Sequence, residues 1–217
     1  MDPNTSTVAL GTSSLPVAGV VIAGGRSVRF GGEKAAAILT AVPLLVWAVR
    51  RLQRTCSAVA VNARPGTQAE ALARAGGLPV LHDEEGDPQG PLAGVKVGLK
   101  WARDINARAL AVSPCDVPML PDDLYPRLIE AAREGAAMAE TAEGHQPLCA
   151  VWPVSALPSV IEALKDGHHP ATWMLLTKLG AQRVHFSSPE AFANINTPGE
   201  LASLSSRLDV EAARRAR

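Results

Sequence analysis

The 217-residue chain has no surplus of charge: 21 Lys and Arg stand against 21 Asp and Glu, a formal net charge of zero. Proteins that grip a nucleic-acid duplex displace counterions with an excess of cations, so a polymer of that kind is excluded as a partner. Aromatic residues are scarce at 4%, so Ala, Val and Leu must build any core. Three cysteines, Cys56, Cys115 and Cys149, are too few and too scattered for a disulfide framework or a zinc site. No apolar run approaches the ~18–20 residues of a membrane span. Neither the GxxxxGK[ST] spacing of a P-loop nor a GxGxxG fingerprint is present. Residues 1–15 are polar, with Asp2 where a signal peptide carries Lys or Arg; they are expected to form a flexible leader on a cytoplasmic protein.

What is present suffices for one domain. Hydrophobic residues make up 47% of the chain and charged ones only 19%, too apolar a balance for disorder. Residues 16–207 are expected to form a single domain and 208–217 a charged tail. The apolar run Val17-Ala18-Gly19-Val20-Val21-Ile22-Ala23 reads as a strand covered on both faces. Further strands are expected at 58–62, 79–82, 109–112, 136–141, 148–152 and 182–186. Helices are expected at 43–54, 67–75, 91–104, 121–134, 154–165 and 170–179, and from Pro198 onward. The four Trp residues are expected in the core. Strands alternating with helices predict an α/β fold with a mostly parallel sheet and helices on both faces.

Ligands of open α/β sheets bind beyond the carboxyl ends of the strands. Four strand exits here deliver the loop from Gly24 to Lys34, then Asn62, then His82-Asp83, then Cys115-Asp116. The first loop frames Arg26, Arg29 and Lys34 between paired glycines, which let backbone N–H groups approach an anion. Asp116 can hold Mg²⁺, an ion that takes few protein ligands and keeps phosphates in its shell. Asp83, the weaker acidic candidate, is placed either to accept from a base or ribose or simply to solvate its loop. Together these residues suit a metal-bound nucleoside triphosphate. Cys115, without a nearby His, reads as a packed side chain rather than a nucleophile, and His168-His169 as surface.

The ordered set Ile22-Ala-Gly-Gly-Arg-Ser-x-Arg-Phe-Gly-Gly-x-Lys34, Val61-Asn62, His82-Asp83, Gly90-Pro91-Leu92-Ala93-Gly94, Cys115-Asp116-x-Pro118 and Asn194-Ile195-Asn196-Thr197-Pro198 resembles the molybdenum cofactor guanylyltransferases. The resemblance covers about residues 17–204. It implies a Rossmann-like nucleotidyltransferase fold and transfer of GMP from GTP to molybdopterin with release of pyrophosphate. By position it implies nucleotide contacts at Ile22, Ala23, Gly24 and Gly25, phosphate contacts at Lys34 and Arg29, nucleoside contacts at Asn62 and Asp83, and Asp116 at both GTP and Mg²⁺. Gly90, Pro91, Leu92, Gly94, Asn194 and Asn196 would line the side that receives base or pterin. GTP and the pterin cofactor would be the substrates, with molybdoenzymes or other cofactor-biosynthesis proteins as further partners.

The chain departs from the family pattern at Glu33, where Asp is usual, at Ala41, where relatives tend to carry Gly, and at His168-His169, where Arg is common. Two rivals share parts of the pattern. A cytidylyltransferase acting on the same cofactor would differ in the first loop and in the 90–94 segment, and a nucleotide-binding delivery protein would have no need of Lys34 and Asp116.

Overall fold

The computed structural model describes residues 16–25, 30 and 32–215. The expected leader 1–15 and the loop cations Arg26 and Arg29 lie outside the described residues. The opening apolar run becomes β1 (Val17–Ile22). Its side chains alternate between two cores, Val17 and Val21 facing one and Ala18 and Val20 the other. Such a strand is stable only with cover on both sides.

The following elements supply that cover. A short hairpin, β2 (Ile38–Leu39) and β3 (Val42–Pro43), leads into α1 (Leu44–Gln53). Then come β4 (Ala58–Asn62), α2 (Gln68–Ala75), β5 (Val80–Leu81) and α3 (Pro91–Asp104). The second half comprises β6 (Ala109–Pro114), α4 (Leu124–Ala131), β7 (Ala137–Thr141), β8 (Gly144–Pro153), α5 (Leu157–Ala163), α6 (Thr172–Lys178), β9 (Gln182–His185) and α7 (Pro198–Arg215).

Seven strands form one sheet in the order β5-β4-β1-β6-β8-β7-β9. β1 runs parallel to β4 and β6, as β4 does to β5 and β7 to β9. Only β8 is reversed, antiparallel to both β6 and β7. Leu45, Ala69 and Leu128 bring α1, α2 and α4 onto one face. Leu99, Val160 and Leu176 bring α3, α5 and α6 onto the other. Each fully buried Leu or Val contributes roughly 1.5–3 kcal/mol, so aliphatic residues supply most of both cores, joined by Tyr125, Phe186 and Phe192 on one face and Trp152 on the other.

Three differences from the sequence reading have local causes. Residues 208–215, expected as a tail, continue α7; Ala and Arg are strong helix formers, and Leu208 packs beside Leu204 on a third cluster with Leu39 and Leu44. β8 begins at Gly144, four residues earlier than expected, because it pairs with β7 across a tight turn and a register shift between Met138 and Ala139. Trp173, expected in the core, is 42% exposed on α6, its ring 5.6 Å from that of His145.

Candidate active site

From β1 the chain builds outward through β4 and β5, then returns to place β6 on the other side of β1. The crevice beyond β1 and β6 is therefore the topological switch point where such sheets bind ligands. A cleft of about 600 Å³ opens there. Ile22, Ala23, Gly24 and Gly25 line it as the chain leaves β1, joined by Lys34, Asn62, Asp83, Gly90, Pro91 and Asp116.

Lys34 is the hub of one side of the cleft. It opens a single 3-10 turn, Lys34–Ala36, and its Nζ donates to Asp116 Oδ2 at 2.8 Å and to Asn196 Oδ1 at 3.1 Å. Residues 82 and 162 positions apart are thus joined by one ammonium. Asn196 arrives because the Ile195 N–H donates to the Asp116 carbonyl at 2.9 Å, docking the segment before α7 onto the exit of β6. Glu33 explains its own departure from the family pattern. Its carboxylate accepts the Gln68 and Ala69 N–H groups at 2.5 and 2.7 Å, satisfying donors that the first turn of α2 leaves unpaired. The longer side chain thus reaches the start of α2 and ties to it the backbone next to Lys34.

The opposite side is organised by Asn62, which is only 2% exposed. Its Nδ2 donates to the Leu81 carbonyl at 3.2 Å and to Asp83 Oδ1 at 2.8 Å. Gly94 follows from this arrangement, since a Cβ there would lie 2.4 Å from Asn62 Oδ1. Gly90 has φ +153°, and the His169 ring occupies the space a Cβ would take. His169 Nε2 accepts the Leu92 N–H at 3.3 Å, so the second histidine of the pair supports the start of α3, whereas His168 is exposed.

Not every expected residue reaches the cleft. Leu92 is fully buried and packs in the core between α3 and the sheet, because it lies on the inward stripe of its helix. Gly94 meets Asn62 rather than the open cleft. Asn194 is exposed and engages Asn196 Nδ2 through its carbonyl at 3.5 Å. Arg29 lies outside the described residues. Conversely, Arg64, Asp87, Gln89 and Leu148 line the cleft without having been expected there. Arg64 had a signal, since it stands two residues past Asn62 at the exit of β4. Cys115 also lines the cleft; burial of its sulfur, reinforced by the Asp116 charge, pushes its thiol up to about 12. It is neutral at physiological pH and no nucleophile.

A doubly wound sheet with a glycine-bordered cleft at its switch point, and a lysine facing an aspartate across it, defines a Rossmann-like α/β protein, and the match to an NTP transferase domain makes it a nucleotidyltransferase. The MobA-like NTP transferase domain matches residues 19–183, and the chain belongs to that family. It is 38% identical over 195 residues to a molybdenum cofactor guanylyltransferase of Cereibacter sphaeroides, covering 89% of this chain and 98% of that one. A protein of the same name from Rhodobacter capsulatus is 38% identical over 196 residues, covering 88% and 96%. The solved structure of molybdopterin-guanine dinucleotide biosynthesis protein A from Archaeoglobus fulgidus superposes with a TM-score of 0.68 at 21% identity, covering 88% of this chain and 98% of that one.

Proposed function

We propose that the protein transfers GMP from GTP to molybdopterin, releasing pyrophosphate and forming the guanine dinucleotide of the cofactor. The observation that carries this reading is the Lys34–Asp116–Asn196 contact set at the switch point, in a chain of this family whose relatives bear that activity in their names. The phosphate of the acceptor attacks the α-phosphorus in line; a new P–O bond forms, the α–β bridging P–O bond breaks, and pyrophosphate departs with the electron pair. No general base is needed, because the attacking phosphate is already ionised. The protein positions the two substrates and neutralises developing charge. Lys34 serves the leaving pyrophosphate, together with Arg29 from the same loop. Asn62 and Asp83 hold the nucleoside, and Ile22 to Gly25 offer backbone groups to it.

Among the described residues no group of three or more His, Cys, Asp or Glu could hold a metal ion. Magnesium does not require one, since one carboxylate with phosphate oxygens and water satisfies it. Asp116 fits that part, and the ion would there neutralise charge at the α-phosphate. Asp116 lines the cleft 2.8 Å from the Lys34 ammonium, so a carboxylate and a cation stand side by side where the phosphates would lie. A cytoplasmic site of action accords with three cysteines that are all free thiols.

Calorimetric titration tests the reading. GTP with Mg²⁺ should bind to the wild type and more weakly to Asn62→Ala. CTP bound as tightly as GTP would remove the guanine assignment.

A further inference from the structure

α3 turns Leu92, Val95, Leu99 and Ala102 into the core. Lys96 lies at the edge of that stripe and is only 6% exposed, a costly place for an ammonium unless its charge is matched. It is matched twice. Its Nζ lies 2.9 Å from Glu84 Oε2 and bonds Asp87 Oδ1. One turn further along, Lys100 pairs with the other oxygen of Glu84. Both carboxylates belong to the loop 83–90 between β5 and α3. That loop contains no regular secondary structure, yet its ends shape the nucleoside side of the cleft: Asp83 receives Asn62, and Gly90 borders α3.

We propose that Lys96 is a positioning residue for nucleotide binding, a buried cation that latches the 83–90 loop to α3 through Asp87 and Glu84 and so sets Asp83 and Gly90 at the cleft. The proposal deepens the functional reading above and rests on it. The latch ties together no strands and no core helices. What it holds is the wall of the site. Without Lys96, the Asp87 side chain, 11% exposed, would lose the ammonium that matches its desolvated charge. One of its oxygens, Oδ2, already has no hydrogen-bond partner among the described residues. The least costly relief is for the loop to swing toward water, and Asp83 moves with it.

The test compares Lys96→Met, Lys96→Arg and Glu84→Gln with the wild type. Amide hydrogen exchange over residues 84–90, the affinity for GTP with Mg²⁺, and turnover at saturating GTP are measured for each. Lys96→Met is expected to speed exchange of the loop amides and to weaken GTP binding by about tenfold while leaving saturated turnover within about twofold, the pattern of lost positioning rather than lost chemistry. Lys96→Arg restores both. Unchanged exchange and affinity in a folded Lys96→Met protein would overturn the latch, as would a loss that Arg does not recover. Should Lys96→Met fail to fold, Glu84→Gln decides: its side chain is 45% exposed, and it must loosen the loop in the same direction by a smaller factor, with no change counting against the proposal. A wild type that binds no GTP would defeat the functional reading, and loop exchange alone would then decide the latch.

Discussion

A thiol, an ammonium and a missing methyl group carry the residue-scale claims. Cys115 faces the cleft, but burial pushes its thiol up to about 12, which keeps it protonated at pH 8. Cys115→Ala should therefore retain turnover within about threefold, and iodoacetamide at pH 8 should leave Cys115 unmodified by mass spectrometry. Lys34→Ala should lower turnover by roughly a hundredfold or more, the usual cost of removing one preorganised charge at a developing anion, and pyrophosphate release measures it. Gly94→Ala places a methyl where Asn62 Oδ1 sits. It should cost about 1–3 kcal/mol of stability in denaturant unfolding and weaken GTP binding as well. Asn62, Asp83 and Asp116 were expected at strand exits and Lys34 at the end of the loop that leaves β1, and the structure brings all four to one cleft. Leu92 misled, since a motif that is contiguous in sequence winds onto a helix, and a helix turns one residue in three or four inward. Lys96 gave no sign at all, its partners being nine and twelve positions upstream in a loop without periodicity.

The elements add strain and titration. Thr40 and Ala41, between β2 and β3, have φ of +45° and +67°, the mirror-image turn that matches strand twist and favours Asn or Gly. Ala41 bears the left-handed conformation at a cost of roughly 1–2 kcal/mol. Ala41→Gly relieves it but frees the unfolded chain. A net gain of ~0.5–1 kcal/mol, a Tm rise of about 2–3 °C, should appear in thermal unfolding. The hairpin escaped sequence reading because two-residue strands leave too little alternation to recognise. In the 83–90 loop, hydrogen bonds from Lys100 and Lys96, with their charges, lower the Glu84 carboxyl below its ordinary value. A carboxylate with a depressed folded pKa contributes its stability above the unfolded value of about 4.3 and loses it as pH falls through the folded one. In the wild type, exchange protection of the loop should hold near pH 7 and decay below about pH 4, whereas in Lys96→Met it should be reduced already near pH 7.

The whole molecule resolves the neutrality from which the sequence reading began. Cations and carboxylates balance overall, yet Lys34, Arg64, Asp83 and Asp116 converge at one end of the sheet. The α/β class and the parallel core were legible from β1, β4 and β6, whose uninterrupted apolar runs require cover on both faces. The reversed β8 was not, because strand direction depends on the turn after β7 and not on the strand's own composition. Four strand exits converge on one cleft, and transfer of the nucleotide tests the functional reading most directly. With α-labelled GTP, Mg²⁺ and molybdopterin, the label should appear in a pterin guanine dinucleotide with one pyrophosphate released for each transfer, and α-labelled CTP should give none. Equal transfer from CTP, or GTP consumed without label reaching the pterin, would contradict the account.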